Sequence, residues 1–327
     1  MIEENTKSGE YNQNKINKEI ANMPKLFRSI LEFFKKPKGV AYLFLLPAGL
    51  TLLIFVIIPL VSAIIISFLN LTIFLHIPKF VGLANYARLL HDGRFWNALK
   101  NSIYFLIEMP IQVLVGLLLA AYLSKNTFFR KFLRSVFFIP VVCSLTAMGI
   151  VWSFLLDPQI GIIPYYLTEL GLPHLQFLTD PKMAMPLIIL MTVWKNFGLT
   201  LVILVAGIQS IPQSYYEASE MDGANSIVQF FRITLPLLVP SLGFCIVTNT
   251  IGSLQVFDQI YVMTQGGPLH ATETLVMYIY NVGFTSEPFN LSYASTIAVI
   301  LFMIIMLISL LMNNYLTRRE TADISEG

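Results

Sequence analysis

Six long apolar runs separated by polar segments organise this chain: Ala41 to Leu69, Ser102 to Leu123, Val136 to Leu155, Met185 to Ile208, Leu235 to Val256 and Tyr293 to Tyr315. Each is close to the length of about 20 residues that lets a helix cross a bilayer. None shows the strict alternation expected of barrel strands. The pattern predicts an all-α, polytopic membrane protein with six transmembrane helices. Pro47, Pro59, Pro110, Pro140, Pro186, Pro236 and Pro240 fall within or beside these runs. Membrane helices tolerate such prolines, which predict kinks or helix ends there.

The polar segment between the fourth and fifth runs has its own pattern. It begins Ile211-Pro212-Gln213-Ser214, and Ser214 with Glu217 three residues later has the spacing of a capping box. This predicts a short helix from Tyr215 to Asp222, with Gly223 just past its end. A second short helix is expected from Ser226 to Arg232, until Pro236 breaks it. The chain thus leaves one span, makes a helix–turn–helix at the surface and re-enters the membrane.

The distribution of charge orients the spans. Lys7, Lys15, Lys18, Lys25, Arg28, Lys35, Lys36 and Lys38 precede the first run, Lys125, Arg130, Lys131 and Arg134 follow the second, and Arg232, Arg318 and Arg319 lie on the same side. These fifteen face only five on the other side, namely Lys79, Arg88, Arg94, Lys100 and Lys182. Positive loops stay in the cytoplasm, so both termini and the segment around Glu217 are expected there, with the protein in the cell membrane. Overall, 56% of residues are hydrophobic and 12% charged, against about 25% charged in soluble domains. Residues 1–39 read as a cytoplasmic tail, disordered up to Asn22 and forming an interfacial helix over Leu26 to Phe34. Residues 40–316 form the membrane domain and 317–327 a second cytoplasmic tail. Cys143 and Cys245 both lie in apolar runs, so no disulfide framework is implied.

The segment Glu217-Ala218-Ser219, three residues, Gly223, nine residues, Ile233-Thr234-Leu235-Pro236 closely resembles the loop of permease subunits of binding-protein-dependent ABC importers. That family's pattern is Glu-Ala-Ala, three residues, Gly, nine residues, Ile-x-Leu-Pro. Only Ser219 departs from it, standing where a second Ala is usual. The resemblance implies that Glu217, Ala218, Ser219, Asp222, Gly223, Ala224, Leu235 and Pro236 belong to a coupling helix and its flanks, which dock into a cleft on a cytoplasmic ATPase. Three outer segments resemble the carbohydrate and glycerol-3-phosphate branch, in the first of its two paired permeases: Phe80 to Tyr86 with Phe95-Trp96 and Asn101; Asp157-Pro158 with Gly161 and Asp180-Pro181; and Phe257 to Pro268 with Thr272. Gly266-Gly267-Pro268 itself favours a tight turn beyond span five. The partners so implied are a second homologous permease, two ATP-binding subunits, an extracellular or periplasmic solute-binding protein, a sugar and the surrounding lipid, with no nucleic acid.

Ionisable groups inside a membrane mark a pathway or a pair. Glu108 in span two and Lys195 in span four both fall in the outer half, placed to pair or to face a water-filled cavity. With Trp194, Asn196, Asn249 and Gln255 they form the candidate substrate pathway, and Asp258 lies close by. Aromatic faces, amides and charges suit a sugar, although interhelical hydrogen bonding explains polar residues in a bundle equally well. Gly116 and Gly149 are small enough to let helices approach. His76, His91, His174 and His270 show no metal-ligand spacing. There is no phosphate-binding Gly-rich loop and no catalytic constellation. The chain is expected to be no enzyme and to need no cofactor of its own. The competing readings are an importer of a non-sugar solute and an ion-gradient-driven transporter using Glu108 and Lys195 as a relay.

Overall fold

The computed structural model describes residues 37–325, except 73–77, 172 and 174. The expectations for the tail up to Asn22 and over Leu26 to Phe34 lie outside the described residues. The chain divides into two units, Met1–Ser62 and Ala63–Gly327. α1 (Pro37–Leu52), in the first, runs through a π-helical turn, Leu53–Ile57, into α2 (Ile58–Ser67), within which the boundary falls. Pro59 has no N–H, and just before it the N–H of Ile58 reaches back five residues to the carbonyl of Leu53. Phe44, Phe55 and most other large side chains here are exposed, as a lipid-facing helix requires.

In the second unit, strands β1 (Leu69–Asn70) and β2 (Lys79–Phe80) pair antiparallel, Leu69 opposite Phe80. α3 (Ala84–Leu90) follows. Its Asn85 donates to the carbonyls of Ser67 and Leu69, and Tyr86 OH meets Ser67 Oγ at 2.7 Å. The Asn-Tyr pair therefore satisfies the orphan end of α2. α4 (Gly93–Phe105) and α5 (Glu108–Leu123) form one 31-residue stretch long and apolar enough to cross a membrane, so helix begins nine residues before the expected Ser102. Pro110 cannot donate to the carbonyl of Leu106, which Met109 N–H takes instead at 3.2 Å.

The third apolar run is not one straight helix. α6 (Phe128–Val142) and α7 (Leu145–Leu155) meet at 93° across Cys143 and Ser144. α8 (Ile162–Glu169) is short, and α9 (Ala184–Gln209) is the most buried long helix. α10 (Gln213–Met221) and α11 (Ser226–Gln229) form the polar excursion, followed by a π-helical turn at Phe230–Thr234 and α12 (Leu235–Leu237). The break comes at Leu238, two residues before Pro240, and not at Pro236; α13 (Val239–Leu254) then leaves at 65°. Beyond span five the chain forms α14 (Asp258–Met263) before the Gly-Gly-Pro turn. α15 (Leu275–Tyr280) and a π-helical turn at Asn281–Thr285 lead to α16 (Leu291–Ser325).

Four described helices are long and apolar enough to cross a membrane, and six spans result if each bent pair counts as one. α9 organises the interior. One apolar cluster joins Leu201, Leu204 and Val205 to Val113, Ala120, Leu238 and Cys245, and another joins Ile188 and Met191 to Phe105, Ile260 and Met263. Close approach uses the two anticipated glycines. A Cβ on Gly116 would lie 2.8 Å from Thr200 Cγ2, and one on Gly149 would lie 3.1 Å from Val262 Cγ1.

Candidate functional site

The polar excursion presents the first candidate site. Pro212 precedes α10 with extended ψ and no side-chain cap, so the expected box between Ser214 and Glu217 does not form; the helix starts two residues earlier than expected, at Gln213. α11 is capped by Asn225, whose Oδ1 accepts from Val228 N at 2.9 Å. Gly223 between them has φ +79°, as its place past a helix end requires. The turn is closed by Ala224 N donating to Ser219 O at 2.9 Å.

Side chains fix the two short helices to each other. Gln229 Nε2 donates to Ser219 Oγ at 3.0 Å and to Tyr216 O at 3.3 Å. Tyr216 OH lies 2.9 Å from Thr234 Oγ1. Glu217, Ala218, Asp222, Gly223 and Pro236 are exposed, while Ser219, Ala224 and Leu235 are half-buried. Met221 and Ile227 project as the most exposed apolar side chains of the excursion, 89% and 69% accessible, with Tyr215, Val228 and Phe231 also exposed. Tyr216, Gln229 and Thr234 were not singled out by sequence, because nothing in their spacing shows that the two helices fold back together.

The second candidate site is a cavity of about 420 Å³ among α4, α5, α9, α13 and the residues after it. Of the residues expected on a pathway, Glu108, Asn196, Asn249 and Gln255 line it, as does Asp258. Sequence reasoning missed Gln112, Thr192, Thr248, Ser253 and Gln259. The signal was present: Glu108 with Gln112, and Asn249 with Ser253, are each four residues apart and share a helix face. Ser253 Oγ donates to Glu108 Oε2 at 2.5 Å. Thr200 Oγ1 accepts from Gln112 Nε2 at 3.0 Å and from Asn249 Nδ2 at 3.2 Å, binding three helices through one hydroxyl. Phe257, also on the wall, stacks on Tyr261 with ring centroids 5.3 Å apart.

Two expected residues lie off the cavity. Trp194 packs edge-on against Trp152 at 5.6 Å. Lys195 is buried and donates to the carbonyl of Val141 at 3.3 Å. The Glu108–Lys195 pair is not formed: the carboxylate is held by Ser253 on α13, the ammonium by the backbone of α6. Among the described residues, no three His, Cys, Asp or Glu side chains gather as a metal site.

At the end bearing the Gly-Gly-Pro turn, two buried networks set the position of α4. Asp92 caps it, accepting from Arg94 N at 2.9 Å, and also accepts from Tyr278 OH at 2.6 Å and Tyr293 OH at 2.5 Å. Burial pushes the Asp92 carboxyl pKa up. The hydrogen bonds from the two tyrosines and from the N–H groups of Arg94 and Phe95 outweigh it and hold the pKa below its ordinary value. Arg94 grips the fully buried Glu273 with two bonds, 2.7 Å and 2.6 Å, while Asn281 donates to the same carboxylate at 2.6 Å. Asn101, quoted above among the outer motifs, donates to the carbonyls of His270 and Glu273, both at 2.9 Å.

Residues 112–321 match the family described as binding-protein-dependent transport system inner membrane component. The chain is 37% identical to a probable ABC transporter permease protein, YurN, of Bacillus subtilis (strain 168), over 84% of this chain and 94% of that protein. It is 35% identical to the lactose transport system permease protein LacF of Rhizobium radiobacter, over 87% and 95% of the two chains. The fold is similar to that of a chain of a bacterial ABC transporter involved in alginate import, with TM-score 0.75 and 23% identity over 90% of this chain and 99% of that one. The chain belongs to the family of binding-protein-dependent transport system inner membrane components, and is a multi-pass membrane permease subunit of an ABC importer.

Proposed function

We propose that this permease carries a sugar, and that α10 and α11 are its coupling element for a separate cytoplasmic ATPase. The exposed helix–turn–helix held by Gln229 and turned at Gly223 carries the second part of this reading. A rigid, protruding pair with exposed Met221 and Ile227 suits docking into a cleft. Closure of two ATPase subunits then moves this segment, and the spans respond because α9 continues into it. Differential binding of ATP to two states supplies the energy. A second permease completes the pathway and a solute-binding protein delivers the substrate. The six-span count, with each bent pair as one span, the cytoplasmic termini and the division at residues 39 and 316 belong to the same reading.

The cavity supports the sugar assignment. Amides of Gln112, Asn196, Asn249 and Gln255 offer both donors and acceptors to hydroxyls, and Phe257 offers an aromatic face. Glu108 and Asp258 are on the wall, and among the described residues no Lys or Arg lines it. That balance suits a neutral or amino sugar better than an acidic one. Relatives are named as permeases for lactose, arabinooligosaccharide and trehalose/maltose transport. The ion-relay alternative loses its motivation with Glu108 and Lys195 held by separate partners.

The test uses the assembled importer in proteoliposomes with its binding protein. Neutral oligosaccharide uptake should require ATP and be indifferent to an imposed proton or sodium gradient. Uptake driven by the gradient alone refutes the reading. A reporter fused after Leu316 should report cytoplasm, and one inserted near Gly171 the exterior; the reverse pattern overturns the orientation.

A further inference from the structure

A second cavity of about 420 Å³ lies between α6 and α9, lined by Asn126, Lys131, Arg134, Ser135, Phe138 and Val202. Lys131, Arg134, Ser135 and Phe138 succeed one another at three- and four-residue spacing, so they share one face of α6. The cavity is therefore graded. Two cations, an amide and a hydroxyl occupy the end nearest the start of α6, and Phe138 and Val202 occupy the deeper end. Asn126 ties the polar end to the last turn of α9, since Gln209 Nε2 donates to Ser124 O at 2.7 Å and to Asn126 Oδ1 at 3.4 Å. It thus opens at the same end of the bundle as α10 and α11.

Arg134 is the anomaly. Its Nε and Nη2 are shut off from solvent and have no hydrogen-bond partner among the described residues. Buried donors on a charged group are costly unless an acceptor meets them, and among the described residues no carboxylate lines the cavity. Nε and Nη2 form one edge of the guanidinium fork, the edge that takes a phosphate or carboxylate bidentately. Phe128, Phe129 and Phe132 stand exposed on the same first two turns of α6. Beside them Arg130 lies over the exposed ring of Tyr122, 4.9 Å from its centroid, and a tyrosine next to basic side chains marks the level of the headgroups in a bilayer.

We infer that this cavity holds the phosphodiester headgroup of an anionic lipid. Arg134 grips the phosphate and Lys131 joins its shell; Ser135 Oγ, which donates to Lys131 O at 3.2 Å, turns to the phosphate when the headgroup binds, and an acyl chain lies along Phe138 and Val202. Basic pockets between membrane helices suit such headgroups. The inference takes from the proposed function only the name of the leaflet, cytoplasmic; a reversed reporter pattern would change that name and leave the site intact.

The experiment uses the purified, delipidated importer complex. Phosphatidylglycerol, phosphatidylcholine and inorganic phosphate are titrated separately, with bound lipid counted by native mass spectrometry and protection followed by thermal unfolding. Phosphatidylglycerol should be retained by the parent, and Arg134→Gln should weaken it by about tenfold or more, as loss of a bidentate charged contact implies. Lys131→Gln and Ser135→Ala, at exposed positions, should each weaken it by a smaller factor and serve if Arg134→Gln fails to assemble. Equal retention by the parent and these variants overturns the site. Protection by inorganic phosphate equal to that by the lipid overturns the lipid assignment. So does crosslinking of Arg134→Cys to another subunit, because the acceptor is then protein.

Discussion

Gln229 reaches back across the Gly223 turn to donate to the hydroxyl of Ser219 at 3.0 Å. The one position where the Glu-Ala-Ala pattern is broken is thus the position that receives a bond from the second short helix. With Ala there, the Gln229 amide would keep only the longer bond to Tyr216 O. Ser219 also donates to Tyr216 O at 2.8 Å, so its hydroxyl is used in both directions.

Ser219→Ala should loosen this segment without disabling it. A single hydrogen bond contributes about 1 kcal/mol net. Amide exchange over α10 and α11 should accelerate by no more than about tenfold, while substrate-stimulated ATP hydrolysis stays close to the parent's. A complete loss of coupling would show that Ser219 contacts the ATPase directly.

Gly223→Val should uncouple the importer. The residue sits at φ +79°, where a β-branched side chain is strained by about 1–3 kcal/mol. Nothing lies within 4 Å of a Cβ built there, so the effect is on the turn and not on packing. Glu217→Lys should weaken ATPase pull-down through charge alone, since Glu217 is exposed. Membrane insertion should be unchanged in both. Normal pull-down and normal stimulated hydrolysis in both variants would remove this segment as the coupling element.

Glu108→Gln should reduce uptake, and Lys195→Met should not rescue it, because the two groups bond to different helices. Ser253→Ala should reproduce part of the Glu108→Gln defect by withdrawing the donor to that carboxylate. Asn196→Leu should lower uptake with assembly intact. Rescue of Glu108→Gln by Lys195→Met in a transport assay would restore the pairing idea.

Arg94→Met should destabilise the protein by about 3 kcal/mol, since it removes the guanidinium from the buried Glu273 carboxylate and leaves it only Asn281 and His270. Adding Glu273→Gln should recover much of that loss, which thermal unfolding of the purified complex would measure. A double variant no more stable than Arg94→Met would show that the geometry of the bonds, and not the stranded charge, sets the cost.

Asp92 makes a pH-dependent contribution. Its folded pKa lies below the ordinary 3.8, so it stabilises the fold above that value and the contribution is lost as pH falls further. Asp92→Asn keeps an acceptor at the cap and removes the titrating charge. Its stability should therefore change less than the parent's below about pH 4. Identical acid limbs would assign the acid sensitivity to other groups.

The mostly helical membrane architecture, the short helices beside Gly223 and the need for positive φ there were legible in the chain. Each depends on residues close in sequence: a sustained apolar run, or a glycine past a helix end. The missed details share a different cause. Proline supplies the warning of a break but not its place. The chain bent 93° at Cys143 and Ser144, after Pro140, and turned at Leu238 instead of Pro236, because neighbouring packing chooses which weak point yields. Ser214 had the spacing of a cap yet lies inside α10, since Pro212 already starts the helix.

Side-chain partnership was decided by tertiary structure alone. Glu108 and Lys195 are opposite charges at matching depth, which from sequence reads as a pair. Folding brought Ser253 to the one and the Val141 carbonyl to the other. Glu273 carries no local signal of burial, yet it is fully buried where Arg94, 179 residues away, meets it. The sequence by itself determined which stretches leave water, because transfer of apolar surface is additive along the chain. It could not determine which polar groups meet, because hydrogen bonds depend on orientation and distance across helices, which only the packed bundle sets.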